Sequence, residues 1–154
     1  MRNELMIFAG LLIALIVGSM LYHARGGRST GVHVGALGSS KAADLIREDF
    51  NRTAAVKTSV AEYYVSQGKM PENNTQAGLF EPSEYRGQTL RSVTVSPDGA
   101  IDYEFDANSG IDGGHVLFLP DLTHARSMGP QWRCVSHDYS DIARAIPTCE
   151  FEKQ

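Results

Sequence analysis

The sequence has few of the residue patterns that an enzyme active site requires. No H-E-x-x-H motif occurs, and the five histidines are scattered along the chain. With only two cysteines and no C-x-x-C pair, the chain also lacks the four-ligand set of a structural zinc site. We therefore expect no catalysis, no cofactor and no metal site.

One acidic stretch, DANSGID at residues 106–112, alternates oxygen-bearing side chains as calcium loops do. An EF-hand loop has glycine at its sixth position and glutamate at its twelfth, where this chain has Ile111 and Leu117. Asp, Asn and Gly also dominate ordinary turns. A turn between two strands is therefore the simpler prediction.

Positive charge is scarce after residue 29. Of the 14 basic and 18 acidic residues, three basic and one acidic lie in residues 1–29, so the remainder has 11 basic and 17 acidic residues and a net charge of −6. Such a domain repels phosphate on average. Arg126, Arg133 and Arg144 can form only a small basic patch, because Asp138 and Asp141 are near them in sequence. We do not expect nucleic acid as a partner.

A single long hydrophobic run lies near the N-terminus. Residues 5–22, LMIFAGLLIALIVGSMLY, carry no charge, and eighteen helical residues cover roughly 27 Å, close to the thickness of the hydrocarbon core of a membrane. A cleaved signal peptide is the alternative, but no A-x-A-like cleavage site follows the run. We predict a transmembrane anchor at residues 1–23, whose orientation the flanking charges do not settle.

A glycine-rich stretch and then a helix follow the predicted anchor. Residues 24–40 contain five glycines and are predicted to form a flexible linker. Residues 41–67 repeat apolar side chains at three- and four-residue steps, with Ser39 or Ser40 as the cap, Gly68 as the end and Pro71 as a block to continuation. One amphipathic helix is predicted, and it needs a partner to cover its apolar stripe.

The second half of the chain is rich in predicted strands. Four apolar runs are separated by turn residues, at residues 89–96, 100–105, 115–119 and 131–135. A helix followed by a meander of strands indicates an α+β domain at residues 41–154, with the helix packed on an antiparallel sheet of about four strands.

The two cysteines, Cys134 and Cys149, lie close to the C-terminus with fourteen residues between them. In a domain tethered to a membrane, such a pair is typical of a disulfide made in an oxidising compartment. Two free buried thiols are the alternative. The first interpretation places the domain outside the cytoplasm.

Three segments in this order resemble the globular domain of type IVa pilins and their minor-pilin relatives. They are VAEYYVSQGKMPENNTQAGLF, LRSVTVSPDGAIDYEF, and QWRC followed by AIPTC. They match a tyrosine-bearing helix end with G-x-x-P and a polar turn, a first hairpin, and the cysteine-bounded C-terminal loop of that family. The resemblance covers residues 42–151.

The resemblance implies that Cys134 and Cys149 pair, and that the loop between them packs against other subunits or recognises a surface. It further implies a domain in the bacterial periplasm, anchored by one pass in the inner membrane, with pilins or pilus assembly components as partners and a homo-oligomer or cell-surface filament as the assembled form. The candidate interaction residues are Val135, Ser136, His137, Asp138, Tyr139, Ser140, Asp141, Ile142 and Arg144.

The N-terminus departs from the family pattern. The fifth residue after Gly10 is Leu15, where these pilins have glutamate, and a glycine-rich stretch interrupts the long helix that a filament core needs. Three hypotheses follow: a filament subunit, major or minor; a membrane-tethered accessory that binds pilins; and a tethered periplasmic recognition domain for a peptide, a small ligand or DNA.

Overall fold

The computed structural model describes residues 35–153. The predicted anchor at residues 1–23 and the linker residues before Gly35 lie outside this range. Among the residues within it, no helix combines the length and the apolar character needed to cross a membrane.

A long helix in two segments opens the domain. Helix α1 spans Ser40–Arg52 and helix α2 spans Ala55–Gln67. The predicted caps are confirmed: the Ser39 side chain accepts a hydrogen bond from the Ala42 N–H at 3.1 Å, and Gly68 ends α2 in the left-handed conformation at φ 70°.

The prediction of one uninterrupted helix was wrong at residues 53 and 54. The Thr53 hydroxyl donates to the backbone oxygens of Asp49 and Phe50 at 3.0 and 3.1 Å, so it competes for the carbonyls of the helix. The next bonds are tightened to three-residue spacing, from Ala54 N to Asn51 O at 3.3 Å and from Val56 N to Thr53 O at 3.0 Å. The helix therefore bends between α1 and α2.

Five strands form one mixed sheet in the order β1-β2-β3-β4-β5. Their bounds are Leu90–Val95, Ile101–Phe105, Gly114–Asp121, Gln131–Ser136 and Cys149–Phe151. A short helix α3, Ala125–Met128, lies between β3 and β4. The first three pairings are antiparallel, as predicted, whereas β4 and β5 are parallel.

The expected sheet of about four antiparallel strands is corrected by β5. A strand of three residues is too short to show a period of two, and it depends on pairing with β4 rather than on its own pattern. Strand β3 also continues through Pro120, where the prediction ended it. The pairing of β3 with β2 stops at Phe118. Pro120 therefore lies beyond the last residue of β3 that pairs with β2, and no backbone N–H is needed there for a bond to β2.

The core lies between the helix and one face of the sheet. Ile46, Val56 and Val60 are at most 2% exposed and pack with inward side chains of β1, β2 and β3. Phe50 stacks on Phe118 with ring centroids 5.1 Å apart and meets Tyr103 edge-on at 5.6 Å. Burial of this face supplies most of the stabilisation that holds the sheet in place.

Candidate interaction surfaces

The disulfide between Cys134 and Cys149 is confirmed, and it joins β4 to β5 where the two residues stand opposite each other. Their Cα atoms are 4.4 Å apart, within the range of disulfides, and both side chains are buried. We call residues 135–148 between them the stapled segment.

The underside of the stapled segment is held by Ser136, which is fully buried. Its hydroxyl donates to the backbone oxygen of His115 at 2.6 Å and accepts the N–H groups of Asp138 and Tyr139 at 3.2 and 3.1 Å. One side chain thus closes a turn and fixes it to β3.

Tyr139 fills the space beneath the segment. Its hydroxyl lies 2.6 Å from the Ser109 hydroxyl, and its ring meets Phe105 edge-on at 6.2 Å. Gly114 passes so close that a Cβ there would come within 2.4 Å of the tyrosine oxygen. Burial raises the pKa of Tyr139 to about 12, so the hydroxyl stays protonated as a hydrogen-bonding group.

The segment also holds the first described residues of the chain. Gly35 N donates to Asp138 O at 2.9 Å, Ser140 N donates to Gly35 O at 3.0 Å, and Leu37 N donates to the Asp141 carboxylate at 2.7 Å. Burial would raise the pKa of Asp141, but the bonds from Leu37 and Arg144 outweigh it and hold that pKa below its usual value. Contacts of the domain therefore extend back to Gly35, ahead of the predicted boundary at Lys41.

The nine candidate interaction residues divide by exposure. Val135, Ser136, Tyr139 and Ile142 are buried, His137, Asp138 and Asp141 are half-buried, and Ser140 and Arg144 are exposed. Their exposed neighbours are Ala143, Pro147 and Thr148. The buried members shape the segment from below, so a partner can touch only its rim.

The outward face of the sheet carries a charged network. Arg91 pairs with Glu104 at 2.8 Å and also with Asp112, and His115 Nδ1 lies 2.9 Å from Asp102 Oδ1. The hydrogen bond that the Asp102 carboxylate accepts from His115 is the main reason that the pKa of His115 is raised, against the opposing effect of burial.

The acidic stretch at residues 106–112 belongs partly to this network. It forms a turn in which the Asp106 carboxylate accepts the Asn108 N–H at 2.8 Å, and Asp112 bonds Arg91. Within residues 35–153, no three His, Cys, Asp or Glu side chains are grouped so that they could hold a metal ion.

A second surface, which the sequence did not indicate, is a cleft of about 710 Å³ on the outer side of α2. Its walls are the face of α2 that carries Lys57, Ala61 and Val65, and the connection around Met128 and Trp132. We call it the α2 groove. The sequence feature that could have indicated this groove is the presence of apolar residues on more than one side of α2. Val56 and Val60 point into the core, while Ala61 and Val65 line the groove.

The chain was also compared with known proteins. A family model described as "Pilin (bacterial filament)" matches residues 46–149, more than half of the chain, and so confirms the resemblance seen in the sequence. A "Type IV major pilin protein PilE1" of Neisseria gonorrhoeae is 48% identical over 40 residues, which are 25% of this chain and 24% of the relative.

A "Fimbrial protein" of Neisseria meningitidis serogroup B is 46% identical over 39 residues, 25% of this chain and 23% of the relative. The chain thus spans about a quarter of the length of the curated relatives it matches. The family match covers α1 from Ile46 onward, α2, the first four strands and both cysteines. This protein belongs to the Pilin family of bacterial filament proteins.

Proposed function

We propose that this protein is a subunit of a type IV pilus, major or minor, with residues 35–153 as its globular head. The observation that carries the proposal is the extent of the family match, from within α1 to the second cysteine. The similarity to Neisseria type IV major pilins supports this kind of filament. No catalytic role is proposed, since bacterial filament proteins act by assembly.

The same proposal places the chain in the bacterial inner membrane before assembly, with the head in the periplasm. The apolar run at residues 5–22 supports an anchor. The disulfide between Cys134 and Cys149 supports an oxidising compartment for the head. In the assembled form the exposed rim of the stapled segment, which includes Ser140 and Arg144, is a candidate contact with neighbouring pilins or with a surface.

A second candidate role is a membrane-tethered accessory that binds pilins without polymerising. Leu15, at the position where type IVa pilins have glutamate, favours this role, as does the glycine-rich stretch at residues 24–40.

The test is the intact mass and N-terminal sequence of the protein recovered from membranes and from sheared surface filaments of its host. A subunit is expected in the filament fraction with a shortened N-terminus. A tethered accessory would begin at Met1, remain in the membrane fraction and still capture pilins in a pull-down. Recovery in the membrane without any pilus component would overturn both roles and favour the unrelated recognition domain.

A further inference from the structure

The α2 groove is an exposed apolar surface. Four large apolar side chains stand out as exposed in the described part of the chain, and two of them, Val65 at 72% and Met128 at 64%, line this groove. The indole of Trp132 lies in its wall and is partly buried against the core. Clustered rather than scattered apolar exposure is typical of a surface that binds a partner.

Two charged groups in the groove have no partner of opposite sign within residues 35–153. The Lys57 ammonium lies 4.7 Å from the ring centroid of Phe118 and 5.2 Å from that of Phe50, and no carboxylate pairs with it. Glu62, on the same face of α2, also forms no ion pair. A complementary partner would therefore bring an apolar side chain, a carboxylate and a cation.

The segment at residues 80–86, FEPSEYR, has this composition on the same chain. Phe80 is 71% exposed at its start, and Glu81, Glu84 and Arg86 are exposed beside it. We call this segment the Phe80 knob.

The Phe80 knob is held in one shape by its own bonds. The Glu84 carboxylate accepts the Glu81 N–H at 3.1 Å, the Tyr85 hydroxyl accepts the Phe80 N–H at 3.3 Å, and Arg86 Nε donates to Ser83 O at 3.1 Å. The Tyr85 ring lies 6.2 Å from the Phe80 ring. A preorganised knob loses little conformational entropy when it docks.

The knob does not occupy the groove of its own head. Phe80 lines a separate cleft with Ala55 and Ser59 of α2, and no residue of the knob lines the α2 groove. The knob is also held in its place by its own hydrogen bonds. The partner considered for the groove is therefore the knob of a second copy of the chain.

We propose that the Phe80 knob of one copy docks into the α2 groove of the next, with Phe80 among Val65, Met128 and Trp132. This contact rests on the proposed role as a filament subunit. It is heterologous, since two different patches of the same molecule meet, and a heterologous contact is what an open filament requires. Glu81 and Glu84 face Lys57, and Arg86 faces Glu62.

The test is photo-crosslinking of the full chain in its host. A benzoylphenylalanine replaces Phe80 in one copy, and a second, affinity-tagged copy without the probe is produced with it. After irradiation, peptides joined to the tagged copy are mapped by mass spectrometry. We expect cross-links to residues 57–66 or 128–132 of the tagged copy. The matched control is the same probe at Thr94, which is exposed on β1 and should give no cross-link to those residues.

A second measurement compares Phe80→Ala with Thr94→Ala. Loss of an aromatic anchor should lower association between copies by about tenfold or more, whereas Thr94→Ala should leave it unchanged. Equal association of the two variants would contradict the proposal.

The cross-linking result and the recovery of the chain in sheared filaments together distinguish the knob-and-groove contact from the proposed role as a filament subunit. A chain present in filaments whose probe at position 80 joins only residues 1–34, another protein or nothing would overturn the knob-and-groove contact and leave the filament role standing. Groove cross-links in a chain absent from filaments would keep the contact and overturn the filament role. Absence of both would overturn both.

Discussion

The buried carboxylate of Asp49 in α1 accepts hydrogen bonds from three consecutive residues that lead into β1, the last of which is its first residue. They are the N–H groups of Gln88, Thr89 and Leu90 at 3.0, 2.7 and 3.0 Å and the Thr89 hydroxyl at 2.8 Å. Burial would raise the pKa of Asp49, but these bonds outweigh it and lower that pKa. One side chain therefore joins the helix to the first strand.

The variant Asp49→Asn should lower the free energy of unfolding by about 2–4 kcal/mol, because an amide has one acceptor oxygen and leaves a buried N–H without a partner. The measurement is urea unfolding at neutral pH. Asp44→Asn is the control: that carboxylate is 68% exposed and pairs with Arg47, so it should cost less than about 1 kcal/mol. Equal losses for the two variants would contradict the role given to Asp49.

The same carboxylate should contribute to acid sensitivity. Because its pKa is lower in the folded chain than in the unfolded one, its stabilisation is fully present above about pH 4 and is lost as the pH falls through the folded pKa. The stability difference between the protein and Asp49→Asn should then be constant from pH 7 to pH 5 and should narrow below pH 4. A difference that widened on acidification would have the wrong sign.

His115 should behave in the opposite way, since its pKa is raised by Asp102, with Asp138 and Glu104 acting in the same direction. Its contribution is fully present below about pH 6.5 and is lost as the pH rises through the folded pKa. The ion pair is partly exposed, so we expect less than about 1 kcal/mol. Titration of His115 by NMR measures the shift, and Asp102→Asn should return the pKa toward its ordinary value.

At the scale of elements, the stapled segment connects two parts of the chain that are far apart in sequence. It is fixed to the sheet by the disulfide and by Ser136. It holds Gly35 by backbone hydrogen bonds and Leu37 by a bond from the Leu37 N–H to the Asp141 carboxylate. Arg47 of α1 adds a bond to Ala145 O at 3.2 Å. A substitution within the stapled segment should therefore also weaken the hydrogen bonds of Gly35 and Leu37, where the chain enters the domain.

The double variant Cys134→Ala/Cys149→Ala should lower the free energy of unfolding by about 3 kcal/mol, as expected for a disulfide that closes a loop of this length. Native-state hydrogen exchange should show that the amides of Gly35, Leu37 and Ser140 lose more protection than the amides of β2 and β3. The protection of the β2 and β3 amides should fall only by the loss in the free energy of global unfolding. Equal losses everywhere would mean that the disulfide acts on overall stability alone and does not position the segment.

Local patterns predicted much of the architecture, and the failures have a common cause. The caps at Ser39 and Gly68, the first three strands and their antiparallel order follow from spacing and turn chemistry near each element. The bend at Thr53 and the strand β5 do not, because a side-chain hydroxyl and a pairing with β4 decide them.

The candidate site was predicted less completely than the fold. The disulfide followed from the family resemblance, but sequence spacing does not reveal which loop residues are buried. Tyr139 points inward because Ser109, thirty residues away, accepts or donates a hydrogen bond to it. The α2 groove was missed because its walls come from two distant segments that only the folded chain brings together.

At the scale of the whole molecule, α2 has one side in the core and another side in the α2 groove, which we propose to be an assembly surface. Val60 is fully buried against the sheet, and Val65 is 72% exposed in the α2 groove. The same residue type in the same helix therefore meets two different environments. This gives a matched pair of substitutions that remove identical atoms.

Val60→Ala should lower the free energy of unfolding by about 2 kcal/mol, from lost burial and the cavity left behind. Val65→Ala should change it by no more than about 0.5 kcal/mol. Incorporation into sheared filaments should respond differently. Val65→Ala should reduce the amount of incorporated protein although the head remains as stable as before, because the substitution removes part of the surface proposed to receive Phe80. Quantitative immunoblots of filament and membrane fractions, with urea unfolding of the same variants, measure both effects. If Val65→Ala assembled normally, the α2 groove would not be a contact of the filament; if it unfolded as easily as Val60→Ala, the assignment of the two sides of α2 would be wrong.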